Sequence, residues 1–114
     1  MKVRFSVTVA AELHKGAGRF VKSPRSVGYA EELISSRQII EGVLTSLGCR
    51  REPDGSWTVA RELLEEKIRV EFTVGQVEAT YHLANAIAQL PGMESHAVLA
   101  RRLLIKLRNG RRFW

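Results

Sequence analysis

Val3, Phe5, Val7 and Val9 alternate with Lys2, Arg4, Ser6 and Thr8 at the start of the chain. That period of two predicts a strand over Lys2 to Leu13 with one face buried. From His14 to Ala30 the pattern fails: Gly16, Gly18, Pro24 and Gly28 interrupt it, and the stretch reads as an irregular basic loop over 14–30. A loop of that length in a small domain is uncommon and often functional. From Glu31 the period turns helical. Ile40, Val43, Leu44 and Leu47 share a face, Ser35 and Gln38 have the spacing of a capping box that would delay the regular helix, and Gly48 offers a left-handed stop.

After a Pro53-Asp54-Gly55 turn, alternation returns. Trp57, Val59 and Arg61 face one way within Trp57 to Glu62, and Ile68, Val70 and Phe72 oppose Arg69 and Glu71 within Lys67 to Thr73. The short Leu63-Leu64-Glu65-Glu66 link predicts that these two strands form an antiparallel hairpin. Ala60 to Lys67 is also rich in helix formers, so a short helix at the end of the first of these strands is the rival. Thr73 then caps a helix from Val74 to Leu90 that Pro91-Gly92 stops, and a last helix runs from about Glu94 to Arg108 before Asn109-Gly110. The order β-α-β-β-α-α predicts an α+β fold: a small antiparallel sheet, helices packed on one face, and a C-terminal helical hairpin. At 114 residues the chain suits one domain over 1–110, with a basic-aromatic tail at 111–114.

The last helix has two faces to explain. At 100° per residue, Leu99, Ala100, Leu103, Leu104 and Leu107 form a broad core face. On the opposite side Val98 and Ile105 lie in line, seven residues apart, flanked by Arg101 and Arg108 on one side and Arg102 and Lys106 on the other. Scattered apolar residues are ordinary on surfaces. An apolar stripe between two basic rails also has the make-up of a docking face steered by charge.

Charge sharpens this picture. The net charge is +6, unevenly spread: residues 1–25 carry six basic side chains against Glu12, residues 26–100 carry six against eleven acidic, and residues 101–114 carry six against none. Basic ends flanking an acidic middle favour a polyanion, through Coulomb attraction and counterion release. Offsetting a helix dipole accounts for Lys106 and Arg108 but not for Arg111, Arg112, Phe113 and Trp114 beyond Gly110. Lys67 to Arg108 has the gross strand-helix-helix order of a ribbon-helix-helix module. Its outward strand residues would be Arg69 and Glu71, a glutamate aimed at phosphates, and the sixty residues upstream are foreign to that pattern, so membership is not claimed. Backbone reading by Arg19, Lys22 and Arg25 together with the C-terminal basic residues needs less special geometry. Phe113 and Trp114 would stack on unpaired bases or fill a gap in a core or subunit interface.

Enzymatic chemistry finds little support. His14, His82 and His96 lack metal-ligand spacing, and no cofactor or metal is expected. Cys49 would gain a lowered pKa from Arg50-Arg51 only if exposed. Lys15-Gly16-Ala17-Gly18 falls short of any phosphate-loop fingerprint. A single cysteine and no leading signal segment point to the cytoplasm, and no apolar run is long enough to span a membrane. The expectation is therefore a non-enzymatic basic interaction protein, of a size and charge that suit a bacterial or phage regulator. It would bind nucleic acid or a nucleoprotein complex through the basic loop and the C-terminal helix and tail. The alternative is a structural subunit or inhibitor that binds an acidic protein surface, or its own copy as a homodimer, through Val98, Ile105, Phe113 and Trp114.

Overall fold

A computed structural model describes residues 1–111, the side chains of Arg25 and Arg111 excepted. Strand β1 (Lys2–Ser6) leads directly into helix α1 (Val7–Phe20), and a 3-10 turn at Pro24–Ser26 precedes α2 (Ala30–Ser46). Two short strands, β2 (Arg50–Arg51) and β3 (Trp57–Thr58), and a 3-10 turn at Arg61–Leu63 follow, then β4 (Lys67–Glu71), α3 (Val74–Ile87) and α4 (Glu94–Arg111). The α+β class, the antiparallel pairing and the C-terminal helical hairpin are as the pattern predicts.

The first strand ends seven residues early, and the supposed loop is mostly helix. Ser6 is extended and its hydroxyl accepts from the Val9 amide at 3.2 Å, an N-cap that stops β1. The β-branched run Val7-Thr8-Val9 favours a strand locally, but tertiary contacts override it. The Val7 amide donates to the Glu66 carbonyl and the Thr8 amide to the Leu64 carbonyl, so donors that a helix start leaves unpaired are satisfied from a distant segment. Val7, Ala10, Leu13, His14 and Ala17 then bury one helical face. Gly16 and Gly18 act as spacers rather than breakers. A Cβ on Gly16 would stand 2.8 Å from Ile87 Cδ1, and one on Gly18 3.2 Å from Arg37 Nη2, so both glycines let neighbouring side chains lie close to α1.

The hairpin expected between Trp57–Glu62 and Lys67–Thr73 does not form. Instead β4 pairs with β1, placing Val3 opposite Val70 and Phe5 opposite Ile68, while β3 pairs with β2. The β1–β4 pairing buries all four of these apolar side chains against the helices, which Trp57–Thr58, only half buried, could not match. The intervening stretch takes up the helical alternative as a single 3-10 turn, and the carbonyls just after it receive the start of α1. Ser35 is not a cap: α2 begins at Ala30, and the Ser35 hydroxyl donates to the Glu32 carbonyl and accepts from Gln76 Nε2 at 2.8 Å, tying α2 to α3. Gly48, with φ of 82°, does supply the stop. Thr73 and Gln76 form a reciprocal capping box on α3, which ends at Ile87 rather than Leu90.

Leu99, Ala100, Leu103 and Leu107 of α4 enter the core, Leu104 half so. The helix continues through Asn109 and Gly110 to Arg111, because one glycine costs only about 1 kcal/mol against alanine and does not end a helix anchored by three buried leucines. Arg111 thus lies within the helix, while Arg112, Phe113 and Trp114 fall outside the described residues.

Candidate nucleic-acid interface

The β1–β4 sheet is buried at Val3, Phe5, Ile68 and Val70 and exposed at Lys2, Arg4, Lys67, Arg69 and Glu71, as alternation along two paired strands requires. The register sets Lys2 across from Glu71 but Arg4 directly across from Arg69. Like charges directly opposite destabilise a strand pair. Glu71 is also engaged elsewhere: the Met1 ammonium donates to its carboxylate at 3.0 Å. The open face of the sheet is therefore strongly basic.

Helix α4 meets this face with Arg102 and Lys106. Lys2, Arg4 and Arg69 from the strands and Arg102 and Lys106 from the helix line one groove of about 320 Å³, floored by Val3, Leu99 and Leu103, with no carboxylate in its lining. All five basic side chains are exposed, and none forms an ion pair among the described residues. An adjoining recess of about 200 Å³ shares Arg4 and Arg102 and adds Lys67 and Val98, with Glu65 as its carboxylate. Basic groups held around a concavity in a low-dielectric wall focus a positive potential on whatever anion enters.

The residues singled out from sequence divide between surfaces. Arg102, Lys106 and Val98 line the groove or its extension, and Val98 and Ile105 are 50% and 56% exposed, so the stripe stands on the surface as the helical wheel implies. Arg101 and Arg108 are exposed on α4. Arg19 and Lys22 do not join them. Arg19 lines a groove between α1 and α3, and Lys22 lines one of about 390 Å³ with Arg37, Glu41 and Arg51. The single surface expected from loop and last helix is thus divided into three. The side chains of Arg25 and Arg111, and all of Arg112, Phe113 and Trp114, are not among the described groups. Lys2 and Arg4 escape a reading of the sequence, and Arg69 is legible only as an outward strand residue, because single outward charges on a strand are ordinary and only the pairing of Arg4 with Arg69, 65 residues apart, assembles them.

The histidines and the cysteine lie outside the basic groove. His14 is fully buried, its Nε2 2.9 Å from the Glu41 carboxylate, which also accepts from Arg51 Nη1 at 2.6 Å. Trp57 sits edge-on to the His14 ring at 5.1 Å, and Arg37 Nε donates to the His14 carbonyl. Burial holds the His14 pKa below its usual value, against the Glu41 hydrogen bond that pulls it up, while that same bond holds the Glu41 carboxyl low. His96 is also buried and pushed down by desolvation, and His82 stacks on Tyr29. Burial pushes the Cys49 thiol up, the reverse of what a reactive cysteine beside arginines requires. Among the described residues no three His, Cys, Asp or Glu side chains are placed to hold a metal ion, and no helix is long and apolar enough to cross a membrane.

The chain matches no family model, no curated protein and no solved structure.

Proposed function

We propose that this protein is a non-enzymatic adaptor that binds nucleic acid, alone or within a nucleoprotein complex, by holding backbone phosphates in the groove between β1–β4 and α4. The observation that carries this reading is the convergence of Lys2, Arg4, Arg69, Arg102 and Lys106, from two strands and a helix, around one concavity without a carboxylate. Five unpaired cations converging on one groove oppose folding, as the facing Arg4 and Arg69 do most plainly, and a bound phosphate chain relieves that repulsion. The polar side chains of the groove lining are all Arg or Lys, which hold backbone phosphates and, among base edges, pair with guanine. A cytoplasmic regulator of bacterial or phage type remains the cellular setting that the size and charge suit.

Titration of a duplex oligonucleotide at several salt concentrations tests the reading. With five phosphate contacts, log K should fall against log salt with a slope of roughly −4 to −5, at about −0.9 per contact, and Arg102→Ala with Lys106→Ala should reduce that slope by about 2. Binding that ignores salt overturns it.

A second reading rests on the exposed Val98 and Ile105: a subunit or inhibitor that docks a protein, including its own copy, through the stripe and the C-terminal aromatics. Salt-insensitive self-association that Ile105→Glu abolishes would favour this reading instead.

A further inference from the structure

A larger recess, about 590 Å³, lies between α1 and α3 and shares no lining residue with the basic groove. Its floor is apolar. Leu83 and Ile87 lie one turn apart on α3, Leu90 and Met93 follow beyond its end, Phe20 of α1 adds to it, and Gly16 allows Ile87 to settle against the α1 backbone. Leu90 is 57% exposed, although it belongs to this floor.

The α1 wall is polar and ordered along the helix axis. Glu12, Lys15 and Arg19 succeed one another on α1 at intervals of three and four, spanning about 10 Å at 1.5 Å per residue, and Ser23 follows beyond the helix end. Lys15 feels the nearby Asp54 carboxylate without an ion pair, and Arg19 has none among the described residues. Two cations thus stand one helical turn apart beside the apolar strip from Leu83 to Leu90, of which Leu90 stands exposed and Leu83 and Ile87 are buried beneath.

We infer that this groove docks an acidic amphipathic helix of a partner protein. Such a helix presents apolar side chains at i, i+3 or i+4, and i+7 to the Leu83–Leu90 strip, and two carboxylates four residues apart to Lys15 and Arg19. The helical part of the wall matches about two turns of such a helix. Glu12, one turn beyond Lys15, fixes the direction, since the partner needs a neutral or basic residue there. A single-headed apolar carboxylate fits less well, because its anion would meet one cation at one end, whereas here the cations are spread along the side. Arg19 thereby belongs to a protein-binding surface, and the chain joins a nucleic-acid face to a separate partner face.

Selection from a display library of helices about four turns long tests this on the full chain, with leucines fixed at i, i+3 and i+7 and Glu, Gln or Lys varied at the flanking positions. The helices recovered should carry Glu at two flanking positions four apart. Lys15→Glu with Arg19→Glu should weaken them about tenfold or more, and the same helix with Lys at those two positions should regain binding to the variant, which excludes misfolding as the cause. Leu90→Asp, at an exposed position, should abolish binding of both helices, while affinity for duplex oligonucleotide stays within about twofold for each variant, separating this surface from the basic groove. Recovery of no helix, of helices without acidic bias, or of binding that Leu90→Asp leaves intact overturns the inference, as does displacement of the selected helix by laurate with equal response to charge reversal.

Discussion

Two pairs of arginines show how little a basic count says by itself. Arg50 and Arg51 are adjacent in sequence, and each meets a carboxylate: Arg50 Nε donates to Glu52 at 3.1 Å and Arg51 Nη1 to Glu41 at 2.6 Å. Arg4 and Arg69 are 65 residues apart, face each other across a strand pair, and meet Arg102 and Lys106 instead of an acid. The first pair has its charge met within the fold, Arg50 by Glu52 two residues on and Arg51 by Glu41 of α2. The second adds repulsion to the fold and leaves its charge without an ion pair among the described residues. A contiguous basic motif is therefore the weaker pointer to a site here, and convergence without a counter-charge the stronger.

The sharpest way to break this contrast removes the same net charge from each pair. Arg4→Ala with Arg69→Ala should lower duplex affinity at low salt by roughly tenfold or more and cut the salt slope by about 2, while Arg50→Ala with Arg51→Ala should leave the slope unchanged. Equal losses from the two pairs, measured by fluorescence anisotropy, would mean that only total charge matters. Stability should respond in the opposite sense. Glu41→Ala removes the acceptor shared by His14 and Arg51, and because Glu41 is 40% exposed the cost should be about 1 to 2 kcal/mol in urea unfolding, with no change in the salt slope. Arg4→Ala should be neutral or slightly stabilising in the same assay.

The smallest effect is on pH. Burial lowers the folded-state pKa of both His14 and His96, so the unfolded chain binds protons more readily. The stability each contributes is complete above the unfolded value near 6.5 and drains away as the pH falls toward the folded value. The melting temperature should decline between about pH 7 and pH 5, and His96→Leu should flatten that decline in part. A flat profile in the parent chain would contradict burial of neutral rings.

Much of the fold was legible where local rules and tertiary packing agree. Thr73 with Gln76, Gly48 and the leucine face of α4 all behave as their residue types dictate, while α3 ends at Ile87, short of the Pro91-Gly92 stop expected for it. The start of the chain misled because Val7, Thr8 and Val9 fit either period, and the groups that decide the matter, the Leu64 and Glu66 carbonyls, lie more than fifty residues away. Gly16 and Gly18 read as breakers because spacing alone does not reveal that Ile87 and Arg37 come to rest against them. The candidate site was half visible: Arg102, Lys106 and Val98 follow from a helical wheel, whereas Lys2, Arg4 and Arg69 required the β1–β4 register.

The anchoring of α1 on those two carbonyls has a consequence for the chain during its synthesis. Residues 2–9 leave the ribosome as an alternating, β-branched segment, and the acceptors that turn Val7 and Thr8 into a helix start emerge only with Leu64 and Glu66. At roughly 5–20 residues per second that is an interval of about 3 to 12 s. For that time Val3, Phe5, Val7 and Val9 are an unpaired strand in search of a neighbour, and Lys2 and Arg4 are the charges that discourage a second nascent chain from supplying one. The same two side chains that later line the groove thus act first as gatekeepers against aggregation.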